Sequence, residues 1–149
     1  MSLLLLLGGA SAGSITPIDP GTVCAILLAD EVAVGQETNI YMQVIDGSGP
    51  VALDGPPQAS VWGYTSAGVR TPEQGLAYMS QVGSQDLWTI TWTPSGAGTF
   101  QVVCTGEIGG TAYSCASPVT ARPRFDPIGL AVDDVLVSRT GDDQVLGTA

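Results

Sequence analysis

The residues able to do chemistry in this chain are few. It holds 149 residues, with 14 acids against four arginines, no lysine and no histidine, for a formal charge of −10. The lack of histidine excludes histidine triads, imidazole acid–base catalysis and histidine metal ligands together. Three cysteines, Cys24, Cys104 and Cys115, leave at least one unpaired within the chain. Paired acids occur at Asp133-Asp134 and Asp142-Asp143. Neither has the alternating ligand spacing of a calcium loop, so both read as a solvated acidic tail rather than a metal site. Trp62, Trp88 and Trp92 would make a sugar-stacking platform if all faced outward. No glycine-rich phosphate loop, nucleophile elbow or cluster of metal-ligand types is present. The expectation is a non-enzymatic protein with no catalytic, cofactor or metal residues. Its negative charge disfavours attraction to nucleic acid or anionic membrane.

The elements that would position these residues are strands. Gln85 to Val119 organises the chain. Trp88, Ile90 and Trp92 alternate with smaller or polar residues, a period of two that sends bulky side chains to one face. Pro94 ends that strand and Ser95 to Gly98 supplies a turn. Phe100, Val102 and Cys104 resume the inward face. Gly109-Gly110 makes a two-residue hairpin, because glycine accepts the positive φ such loops need. Tyr113 and Cys115 then continue inward. Counting out from that hairpin sets Cys104 opposite Cys115, a register that suits either a disulfide or two small buried thiols. The reading taken is thiols, with Cys24 as a further core residue.

Upstream, Val23 to Leu28 reads as a strand apolar on both faces, and Asn39 to Ile45 places Ile40, Met42 and Val44 inward with Tyr41 and Gln43 outward. Ser60 to Thr65 is another strand, and residues 69–84 contain at most a weak one. The expected core comprises Ile40, Met42, Val44, Trp88, Ile90, Trp92, Phe100 and Val102. With Gly 20 and Pro 10 but only 12% charged residues, the pattern predicts an all-β, immunoglobulin-like antiparallel sandwich over 22–121. An N-terminal arm and linker over 1–21, with Thr16 to Gly21 as a proline-defined linker, and a C-terminal extension over 122–149 flank it. In the extension, 128–137 satisfies neither the strand nor the helix period.

The run Trp88-x-Ile90-x-Trp92-x-Pro94, then Gly98-x-Phe100-x-Val102, then Ser117-Pro118, resembles the end of filamin-type and bacterial immunoglobulin-like repeats. That resemblance implies the sandwich fold and a role as spacer, adhesin or capsid or tail decoration. The opening MSLLLLLGGA is similar to small structural virion proteins of tailed bacteriophages. It lacks the basic start and long apolar core of a signal peptide and is too short for a membrane span. Five adjacent leucines do not remain free in water, so Leu3, Leu4, Leu5, Leu6 and Leu7 are the expected protein-interface residues. Arg122, Arg124 and Phe125 are expected to serve likewise at the tail. The function these readings imply is a structural subunit of a tailed-phage virion (head decoration, neck or tail accessory), assembled in the host cytoplasm. Its partners would be other virion proteins or copies of itself. The alternative is a secreted or surface bacterial module for adhesion or carbohydrate binding.

Overall fold

The computed structural model describes residues 12–29 and 31–124. Among them the chain forms eleven strands. These are β1 (Ala12–Asp19), β2 (Thr22–Leu28), β3 (Glu31–Ala33), β4 (Thr38–Asp46), β5 (Gly49–Pro50), β6 (Gln58–Tyr64), β7 (Arg70–Tyr78), β8 (Ser80–Gln81), β9 (Trp88–Trp92), β10 (Gly98–Ile108) and β11 (Thr111–Arg122). One sheet runs β1-β2-β4-β9-β8, with β5 attached to β4, and the other runs β3-β11-β10-β6-β7. Every pairing is antiparallel except β3 with β11. The order β2-β4-β9-β8 facing β6-β10-β11 reproduces the ABED and CFG sheets of the immunoglobulin sandwich, with β7 continuing past the C position. The protein is thus an all-β sandwich of immunoglobulin type, as the alternating pattern predicts.

The core forms where the inward faces meet. Ile26, Ile40, Met42 and Val44 of one sheet pack on Val61, Val102 and Cys104 of the other, all essentially without exposure. Trp92 lies edge-on to Phe100, with ring centroids 5.3 Å apart. Trp88 is buried with them, and Ile90 packs against the cluster while half-buried. Two inward positions opposite aromatic rings are glycines. Gly63 pairs with Phe100 and Gly106 with Tyr113 across the strands. A methyl at Gly106 would sit 2.6 Å from the Tyr113 phenol oxygen, so the ring fills the space that a side chain would take. Gly109 and Gly110, at φ 57° and 82°, close the β10–β11 hairpin between Ile108 and Thr111, the conformation a two-residue loop demands.

The structure differs from the sequence expectation in four places. Residues 16–19 belong to a strand, not to a linker, because β1 pairs with β2 from Ala12 to Asp19. The first sheet therefore begins at Ala12, ahead of the expected boundary at residue 22. Pro17 is accommodated since β1 is an edge strand whose ladder is irregular between Pro17 and Asp19. Gly13, at φ 115°, lets β1 approach so closely that a Cβ there would run into the Ile26 carbonyl. Gln43 faces outward, as expected, yet is only 5% exposed. It belongs to the outer face of the first sheet, where Leu27 and Leu87 form a second small buried cluster with Tyr41 and Val82 packed on it.

The last two differences concern residues 69–84 and the cysteines. The weak strand is a full nine-residue edge, β7. Cys104 does stand opposite Cys115 in the β10–β11 register, but Cys115 is bonded to Cys24, with Cα atoms 6.3 Å apart, and only Cys104 is a free thiol. The reason is face-to-face geometry. Cys24 on β2 and Cys115 on β11 both point into the gap between the sheets, and that bridge competes with the pair inside one sheet. The disulfide joins the two sheets across 91 residues of sequence.

Candidate interaction surface

The chemistry available on this fold is set by which side chains the strands leave outside. Alternation on β6 sends Ala59 and Val61 into the core, with Gly63, and Gln58, Trp62 and Tyr64 outward. Of the three tryptophans, Trp88 and Trp92 are core residues, and Trp62 alone lies half-buried on the outer face. Its indole N–H donates to Ser60 Oγ at 2.9 Å, and the Arg70 guanidinium lies 3.9 Å from the ring centroid. Such a stack is worth about 0.5–1 kcal/mol at an exposed site. It covers one face of the ring, so no three-tryptophan platform exists. Tyr64 OH donates to Gln101 Oε1 at 3.1 Å across the same face.

Tyr64, Val69, Leu76 and Tyr78 are between 49% and 68% exposed. Together with Ile15 on β1 they are the exposed large apolar side chains among the described residues. Four of the five thus gather on one hairpin, β6–β7, at the free edge of the second sheet. They form two pairs, Tyr64 and Val69 at the turn and Leu76 and Tyr78 at the far end of the hairpin. Only the second pair stands on the edge strand itself, where exposed apolar side chains invite strand pairing.

β7 itself changes character along its length. Its first half carries Arg70, Pro72 and Glu73, residues that blunt an edge against strand addition. Glu73 accepts hydrogen bonds from the Ser95 amide and hydroxyl at 2.8 and 2.9 Å. Its second half, Gln74 to Tyr78, has no charge and no proline.

A cleft of about 790 Å³ opens beside the β10–β11 hairpin, lined by Asp54, Gln58, Tyr78, Thr105, Glu107 and Ser114 among others. Its two carboxylates are not a catalytic pair. Asp54 accepts the Gly109 and Gly110 amides at 2.8 Å each, and these bonds, Gly110 first, hold its carboxyl below the usual value. The carboxylate pins the hairpin. Among the described residues no group of three or more histidine, cysteine, aspartate or glutamate side chains gathers where a metal ion would sit.

Of the expected interface residues, Arg122 ends β11 and its Nε lies 2.7 Å from Glu31 Oε2, both side chains being more than half exposed. Such a pair contributes about 0–1 kcal/mol. Arg124 is exposed just beyond it. Leu3, Leu4, Leu5, Leu6, Leu7 and Phe125 lie outside the described residues, as do the two acid pairs and 128–137. Sequence reasoning overlooked the β6–β7 edge. The signal was present in Leu76 and Tyr78, two residues apart and so on one face of a strand, but glycine and glutamine around them obscured it.

No protein-family model matches the chain, and no curated protein does. The fold and this surface define a class, the immunoglobulin-like sandwich, and nothing narrower.

Proposed function

We propose that this protein is a non-enzymatic structural subunit that works by protein–protein contact, in the virion of a tailed bacteriophage. The observation that carries the reading is the exposure of Leu76 and Tyr78 on the free edge strand β7, with Tyr64 and Val69 exposed at the turn of the same hairpin, in a sandwich whose core closes without them. The leucine run at residues 3–7 supplies a second apolar element with the same need for a partner. The virion setting rests on the resemblance of the first ten residues to small phage structural proteins. Immunogold labelling of particles from a lysate of the producing cells tests it, with gold on heads, necks or tails as the expected result. Label confined to the cell surface or medium overturns it.

A second reading, a secreted or surface module for adhesion, is favoured by one observation, the Cys24–Cys115 disulfide. Disulfides persist chiefly in oxidising compartments. The two readings part at the N-terminus: removal of residues before Ala12 on export supports the second, and a retained leucine run supports the first.

A further inference from the structure

We infer that the uncharged half of the β7 edge, Gln74 to Tyr78, receives the leucine run 3–7 of a second copy of this chain, added as an extra strand. The inference rests on the reading of the protein as an assembling subunit and names the surface that would do the assembling.

Strand addition needs a free row of backbone donors and acceptors, with pockets or apolar side chains at alternate positions. β8 and β3 are edges of only two and three residues. β1 carries Pro17 and the positive-φ Gly13. Its ladder is irregular between Pro17 and Asp19, and that of β7 is irregular between Pro72 and Gln74 and between Gln74 and Ala77. Proline and Gly13, not the ladder, therefore set the two edges apart. The second half of β7 offers five residues with neither charge nor proline, and its exposed Leu76 and Tyr78 sit two apart on one side. Leu3 to Leu7 is also five residues, uncharged and proline-free. Each side therefore lacks what the other supplies, namely a ladder partner and apolar cover.

Reach decides that the donor is another copy. β1, where the run joins the sandwich, packs beside β11, whereas β7 packs on the opposite flank, where Gln74 Nε2 donates to Thr91 O at 3.3 Å. From the β1 flank to a strand added beyond β7 is about four strand spacings, or roughly 19 Å straight through the core. Around the outside it is longer. Gly8 to Ser11 span at most about 18 Å between Leu7 and Ala12 when fully extended. A chain cannot lay its own leucines on its own β7, but it can lay them on its neighbour's. Donor on one flank and acceptor on the other make the contact head-to-tail, which closes into a ring or grows as a filament. Copies of charge −10 repel one another, so contact through this uncharged edge strengthens as salt screens them.

The test places a photoreactive benzoylphenylalanine at Leu5 of the full chain. Ordinary and nitrogen-15-labelled copies are mixed, irradiated and mapped by mass spectrometry. Mixed-isotope cross-links to peptides covering Gln74 to Tyr78 are expected, with sedimentation showing association that tightens with salt. Leu76→Lys and Tyr78→Lys, both at exposed positions and so harmless to folding, should each weaken association at least tenfold. Mixed-isotope links to another surface would overturn the β7 assignment while leaving the assembly reading standing. Links only within one chain, or a monomer at every concentration and salt, would overturn the strand addition and self-assembly together, while the virion reading itself stands or falls on the particle labelling.

Discussion

Trp92 shows what a single core residue does here. It is 2% exposed and meets Phe100 edge-on, so Trp92→Ala should cost roughly 3–5 kcal/mol, read from urea unfolding at constant m-value. Its indole N–H is buried with no hydrogen-bond partner among the described residues. Trp92→Phe should therefore cost distinctly less than the alanine change, since it removes volume and an uncompensated donor together. Asp54 gives a pH signature. Its carboxyl is held below 3.8 by the Gly110 and Gly109 amides, so the stabilisation it gives the hairpin is full above that value. It is lost as the pH falls through the lower folded value. The Gly109 and Gly110 amide resonances should titrate together below pH 3.8, and Asp54→Ala should abolish that step. Cys104, whose thiol burial pushes up to about 12, should resist alkylation in the native protein at pH 8. Unfolded without reductant, the chain should take one label; three labels would contradict the Cys24–Cys115 bond.

At the scale of elements, β1 sets where the sandwich can be cut. A chain starting at Ala12 should keep its melting temperature within a few degrees of the full protein. One starting at Pro20 loses a strand that pairs along the whole of β2, exposes the edge of β2 and should melt clearly lower by calorimetry. Equal melting temperatures would mean that β1 adds nothing to the sheet. This strand also marks a limit of what sequence conveys. The strands from Trp88 to Val119 were legible because they alternate cleanly and end at Pro94, Gly98 and the Gly109-Gly110 pair. β1 was not, because Thr16-Pro17-Ile18-Asp19-Pro20 carries the composition of a linker, and only its position at an edge makes Pro17 tolerable. β7 was half-legible for a similar reason. An edge strand needs no two-sided alternation, so glycine and glutamine survive in it. The burial of Gln43 and Leu27 on the outer face was foreshadowed only by the doubly apolar run of β2.

At the scale of the whole molecule, register within a sheet was legible and contact between sheets was not. Counting from the hairpin placed Cys104 opposite Cys115, as found, but no count along the chain brings β2 over β11. The bridge between them closes 91 residues of separation, and replacing Cys24 and Cys115 together by serine should cost about 2–5 kcal/mol. The same bridge decides how the molecule answers to tension. Cys24 lies in β2 and Cys115 in β11, so a pull applied on either side of them runs through the sulfur bridge and bypasses nearly everything between. With the bridge intact, a single-molecule stretch should release only the short flanking strands. Once it is reduced, the intervening chain should pay out, adding roughly 300 Å of length. A sandwich closed in this way behaves under load less like a spring than like a buckle.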